Sequence, residues 1–217
     1  MKAIFKNNLS FLLPYFLFLI IGAVIIVVNS KAKTHLAFNS FHNSFFDVVN
    51  TYTTYLGDGV TATLVILMML AVKYRYFLIV AISNLISALI TQMLKQFVFD
   101  DVVRPKKFFE GIQQLYFVPG IDNHMYNSFP SGHTTCAFAL YFSLALIVKN
   151  RFYKIVFLLL ALLTGYSRIY LSQHFLEDVY AGSIIGVVTS LIVYYFIQKK
   201  DHPWMEKSLV NFFKNER

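Results

Sequence analysis

Apolar residues gather into six runs along this chain, at about Leu9 to Val28, Val60 to Val72, Phe77 to Phe97, His133 to Val148, Phe152 to Tyr170 and Val179 to Gln198. The first is almost unbroken and roughly 20 residues long, the length a helix needs to cross the hydrocarbon layer. Each run predicts a membrane-spanning helix, the second and fourth being short. The expected fold is all-α, a polytopic membrane protein of six transmembrane helices. No repeat, low-complexity tract or domain boundary interrupts it, so residues 1–217 are read as a single integral membrane domain. Lys2 and Lys6 before the first run would also suit a signal peptide, but the run outlasts a normal signal core and no clear small-residue cleavage site follows it.

The polar residues between the runs set an orientation. Lys73-Tyr74-Arg75 and Lys149-Asn150-Arg151 with Lys154 are compact basic turns, and short basic loops face the cytoplasm. With both termini on that side, Lys95, the Pro130 to His133 stretch and the Ser167 to Asp178 stretch all fall on the outer face. A bacterial inner membrane is the expected location, with those stretches open to the periplasm or exterior. Two connections stand out there. Ser30 to Gly59 scatters Phe38, Phe41, Phe45, Phe46, Tyr52 and Tyr55 among polar residues, which predicts an interfacial helix whose aromatic belt anchors the fold. Val98 to Phe129 is longer than a plain turn requires. The tail from Lys199 to Arg217, with Trp204, Phe212 and Phe213, predicts another interfacial helix, attracted to anionic lipid.

Composition sharpens this picture in three respects. At 57% hydrophobic and 14% charged, the chain is too apolar for an ordinary soluble domain. Its one cysteine, Cys136, lies within an apolar run, so no intramolecular disulfide forms. The net charge of +8 could serve nucleic acid, a membrane surface or an anionic substrate. Its distribution at the ends of apolar runs favours the last two, so membrane lipids are the expected partners and nucleic acid is not.

Candidate chemistry concentrates in Pro130-Ser131-Gly132-His133 and in Ser167-Arg168 with His174 and Asp178. Ionisable groups where spanning helices meet water cost free energy and point to function. His174 and Asp178 are four apart, on one helical face, so the carboxylate can hold one imidazole nitrogen protonated and leave the other free to attack. Ser131, Gly132 and His133 open the fourth run, where backbone N–H groups and a glycine suit an anion. Lys95, Arg104 and Arg168 add cations fit for a dianionic phosphate. One histidine attacking phosphorus and the other protonating the leaving oxygen would hydrolyse a phosphoester without metal.

These residues resemble those of the type 2 phosphatidic acid phosphatases, a superfamily that spans membrane lipid phosphatases, soluble acid phosphatases and vanadium haloperoxidases. Its pattern is a lysine followed by Arg-Pro, then Pro-Ser-Gly-His, then Ser-Arg, a five-residue gap, His, a three-residue gap and Asp. The second part stands at Pro130 to His133 and the third from Ser167 through Asp178. The first departs from it, because Gln96 to Val103 sets Lys95 two residues farther than usual from Arg104-Pro105. The resemblance runs from about Leu56 to Tyr195. It implies a six-helix fold with an active site at the outer membrane–water interface, and hydrolysis of a lipid phosphate through a phosphohistidine. By the same resemblance His174 is the nucleophile, Asp178 its orienting group and His133 the acid, with Lys95, Arg104, Ser131, Gly132 and Arg168 binding phosphate.

The implied substrates are undecaprenyl diphosphate, phosphatidylglycerol phosphate, phosphatidate and the phosphates of lipid A. No cofactor or metal is expected: His124, Asp100 and Asp101 share the outer face, but the lysine and arginines repel a divalent cation. The alternative is a transporter or flippase that binds a lipid phosphate without cleaving it, for which the nucleophile and orienting pair would be superfluous. A vanadate-dependent oxidase is more remote, since the approach to the site is apolar.

Overall fold

The computed structural model describes residues 2–210. Helix α1 (Lys2–Asn7) turns at Asn8 into α2 (Leu9–Val28); two short helices follow, α3 (Lys31–Asn39) and α4 (Ser44–Thr53). A 3₁₀ turn at Thr54–Gly57 leads into α5 (Gly59–Val72) and α6 (Tyr74–Phe97), and α7 (Pro105–Phe108) interrupts the long connection. The chain closes with α8 (Gly132–Ile147), α9 (Arg151–Tyr170) and α10 (Leu176–Gln198). All six apolar runs are helical, each within a few residues of its expected bounds.

Four of these helices, α2, α6, α9 and α10, are long and apolar enough to cross a membrane, and α4 with α5, bent by 50°, makes a fifth. The six spans expected from the runs thus become four or five by length, because α8 has only 16 residues and α5 only 14. That helix has another place in the molecule. Ala137, Phe138, Ala139, Leu140, Phe142 and Ala145 are all fully buried, so α8 is the axis around which the others pack. By contrast α2 buries Phe11, Leu12 and Tyr15 and exposes Leu13, Leu17 and Ile20. The Phe11 ring packs tilted against Phe142 at 4.7 Å and Tyr15 against Phe138 at 5.6 Å, leaving the opposite face for lipid.

Small residues let α10 approach α8 closely. A Cβ on Gly182 would lie 2.8 Å from the Ser131 carbonyl oxygen, and one on Gly186 would lie 2.7 Å from both Ala139 N and the Thr135 oxygen. One turn on, Ser190 Oγ donates to Ala139 O at 3.0 Å. Gly182, Gly186 and Ser190 form a small-residue stripe that packs backbone against backbone. We expect Gly186→Leu to destabilise the protein by about 3 kcal/mol, seen as a lower midpoint of thermal unfolding in detergent; an unchanged midpoint would mean that the two helices do not meet at this residue.

Both connections near the bundle ends differ from expectation. Ser30 to Gly59 is two helices and a 3₁₀ turn rather than one helix, because Asn43 breaks the run and caps α4 by accepting from Phe46 N at 2.9 Å. The tail folds back as a short turn at Pro203–Glu206. Glu206 pairs with Lys73 Nζ at 2.7 Å and with Arg75 Nε at 2.5 Å, while Arg75 Nη1 caps α10 through Ile197 O and Lys200 O, both at 2.9 Å. Phe212 and Phe213 lie outside the described residues.

Candidate active site

Backbone contacts first bring the two histidine stretches together. Ser131 caps α8 by accepting from Thr134 N at 3.4 Å and from Thr134 Oγ1 at 2.9 Å. Its own N–H donates to Asp178 O at 3.0 Å, tying the start of α8 to the start of α10. Among the described residues nothing accepts from the N–H groups of Gly132 and His133, the two left over at this helix start. A Cβ on Gly132 would meet open space, so a ligand can approach that backbone. Gly57 braces the other side: a Cβ there would fall 2.5 Å from the His133 carbonyl oxygen.

His174 is set by a tight turn after α9. Gln173 N and His174 N both donate to Arg168 O, at 2.9 and 3.1 Å, and Ser172 takes a left-handed φ of 53°. His174 Nδ1 then lies 3.2 Å from Asp178 Oδ2, which also accepts from Phe175 N at 3.0 Å and from Ser128 Oγ at 2.5 Å. An ionised carboxylate only accepts, so the imidazole carries its proton on Nδ1 and keeps the Nε2 lone pair. Burial holds the His174 pKa well below the usual histidine range; Asp178 opposes this, and Arg104 and Arg168 reinforce it. The ring is neutral at physiological pH, as a nitrogen nucleophile must be.

Three cations surround this pair. Arg104 and Arg168 are both more than nine-tenths buried, and no carboxylate among the described residues forms an ion pair with either. Gln173 holds both: its Oε1 accepts from Arg104 Nη1 and from Arg168 Nη2, each at 3.2 Å. Its Nε2 donates to Asp122 O at 2.7 Å and to Asn123 Oδ1 at 2.8 Å, so the long connection is pinned to the same residue. Arg104 Nε reaches Tyr126 O at 2.9 Å, Arg168 Nη1 reaches Thr54 Oγ1, and Arg168 Nε is buried without a hydrogen bond among the described residues. Lys95 Nζ donates to Asn127 O at 3.0 Å, next to Ser128. Despite its longer spacing, Lys95 lies within electrostatic reach of Arg104, Arg168 and Asp178, as His133 does of Lys95 and both arginines.

All eight residues singled out from the sequence thus sit in one cluster, where α6, α8, α9, α10 and the long connection meet. Lys107 pairs with Glu110 and Lys106 lines a separate surface pocket beside it, while Phe108 and Phe109 pack on Phe175, next to His174. Four further residues belong to the cluster and were not anticipated. Gln173 and Ser128 hold the arginines and the carboxylate, Thr54 meets Arg168, and His35 lies buried against Ser172 and Phe175 with its Nε2 3.2 Å from Ser172 Oγ. Gln173 and Ser128 adjoin the motifs, which was the only signal available; nothing near Thr54 or His35 marked them. Ser128→Ala is expected to cut turnover about tenfold by loosening Asp178, and unchanged kinetics would remove Ser128 from the site.

The sequence model described as the PAP2 superfamily matches residues 73–202. The undecaprenyl-diphosphatase BcrC of Bacillus subtilis (strain 168) is 35% identical over 69 residues, 32% of this chain and 35% of that protein. The lipid A 4'-phosphatase of Porphyromonas gingivalis is 33% identical over 91 residues, 42% of this chain and 38% of that protein. In both cases the chain spans well under half the relative's length. A crystal structure of a transmembrane PAP2-type phosphatidylglycerolphosphate phosphatase from Bacillus subtilis superposes with a TM-score of 0.64 at 24% identity, covering 92% of this chain and 99% of that one. That likeness concerns the fold.

Proposed function

The chain belongs to the PAP2 superfamily, and from that premise we propose that it hydrolyses a lipid phosphate or diphosphate at the outer face of the membrane through a phosphohistidine on His174. The observation that carries this reading is two buried arginines held on one side-chain oxygen, without a carboxylate partner among the described residues, beside a neutral histidine on a buried aspartate. Buried charge without a counter-ion is costly, so the cluster is built for an anion that arrives from outside.

In the first step His174 Nε2 forms a bond to phosphorus as the bond to the leaving oxygen breaks, and His133 gives that oxygen a proton. Lys95, Arg104, Arg168 and the N–H groups of Gly132 and His133 take up the charge spread over the equatorial oxygens. Ser131 serves by capping and aligning that helix start. In the second step water attacks phosphorus, His133 removes its proton, and the N–P bond breaks to free His174. Asp178 keeps the proton on Nδ1 throughout.

Undecaprenyl diphosphate is the substrate we favour, ahead of lipid A phosphates, phosphatidylglycerol phosphate and phosphatidate; the matches to BcrC and to the lipid A 4'-phosphatase support the first two. A carrier that binds without hydrolysis would use the same cations but has no need of the His174–Asp178 pair. Phosphate release from a panel of these four lipids by the purified protein decides the matter. Undecaprenyl diphosphate should be turned over fastest, vanadate should inhibit and EDTA should not. No release from any lipid would overturn the enzymatic reading, and a loss in EDTA reversed by divalent metal would overturn the metal-free mechanism.

A further inference from the structure

At the opposite end of the bundle from the histidines, a cavity of about 740 Å³ opens between α1, α8, α9 and α10. Lys6, Lys149, Arg151 and Lys154 all line it. Among the described residues none of the four meets a carboxylate, whereas Lys73 and Arg75, also at this end, are neutralised by Glu206. Lys154 is 3% exposed. Its ammonium donates only to neutral oxygens, Asn7 O at 2.9 Å and Asn8 Oδ1 at 2.5 Å, which leaves one of its three N–H bonds for a further acceptor. The first turn of α9 faces the same space, and Asn150 caps only the N–H of Phe152. The positive end of that helix therefore adds to the four side chains.

We infer that this cavity binds a phosphate group, as the head group of an anionic phospholipid in the leaflet opposite the catalytic cluster. Lys154 is buried without a counter-ion beside three exposed cations, an arrangement that favours an anion, and basic pockets between spanning helices at a membrane surface hold such head groups. The rest of the lining suits an amphiphile, because Leu9, Leu146, Ile147 and Val148 border the cations and would meet the glycerol and first methylenes. Free phosphate shares the head-group chemistry and is the other source. Occupancy would clamp α1 to the start of α9 and so stabilise the fold.

The test uses purified, delipidated full-length protein titrated with short-chain phosphatidylglycerol, with short-chain phosphatidylcholine or with inorganic phosphate, and reads the unfolding midpoint. Phosphatidylglycerol should raise the midpoint where phosphatidylcholine does not. Removing two cations in Lys149→Gln with Arg151→Gln should weaken its apparent affinity about 30-fold, without changing phosphate release from a soluble substrate. Arg168→Gln, at the other end, should leave the phosphatidylglycerol effect in place. An equal response to inorganic phosphate, lost in the same double variant, would keep the site and assign it free phosphate. A response to both lipids alike, or one that survives the double variant or disappears in Arg168→Gln, would overturn the inference.

Discussion

His174→Ala is expected to lower lipid phosphate hydrolysis by about 10⁴-fold or more while the protein still inserts and elutes as the wild type does. The size follows from the role: without the imidazole there is no atom to form the N–P bond, and the surrounding cations stabilise a transfer that has no acceptor. Folding should survive, because the side chain hydrogen-bonds to Asp178 and to no other described residue, and that carboxylate keeps the Ser128 hydroxyl and the Phe175 N–H. Trapping supplies a second readout. Wild-type protein quenched in base during turnover should carry an acid-labile phosphate on His174, and the variant none. Turnover retained in His174→Ala would place the nucleophile elsewhere.

His133→Ala should lower turnover by about 10²- to 10⁴-fold, with a dependence on substrate that separates it from the first variant. An acid matters in proportion to the basicity of the oxygen it protonates. A monoester such as phosphatidate leaves as an alkoxide that needs the proton, so the full loss is expected there; a nitrophenyl phosphate, or a lipid diphosphate whose leaving group is itself a phosphate, should lose far less. His174→Ala should cripple both substrates alike. The position of His133 supports the contrast, since it opens α8 beside the two helix-start N–H groups that have no partner among the described residues and would hold the phosphate. Equal losses on both substrates would mean that His133 binds phosphate without donating the proton.

Much of this site is short-range in sequence. His174 lies in the turn before α10, not on the helical face expected from its spacing, and meets Asp178 because that carboxylate caps the helix start by accepting from Phe175 N; Ser131 likewise caps α8, so helix-capping rules more than periodicity place both stretches. Lys95 is the opposite case. Its unusual spacing left its position open, and the loop that carries Asn127 and Ser128 brings it to the cluster. Gln173 lay in plain view between Arg168 and His174, yet a glutamine in a turn has many partners to choose from. Its bridging of two arginines depends on Arg104, which is 69 residues away.

The amino-acid sequence by itself determined the six apolar helices and their order, the membrane setting, and the local geometry of the two histidine stretches, because hydrophobic run length, helical period and capping act over a few residues. Tertiary structure alone decided which groups complete the cluster: Thr54 against Arg168, Ser128 against Asp178, His35 behind Ser172, and the cationic cavity around Lys154 at the far end. Those contacts join residues between 50 and 147 positions apart. They depend on which helices pack together, as where the Gly182–Gly186 stripe brings α10 onto α8, a packing outcome that no local pattern encodes.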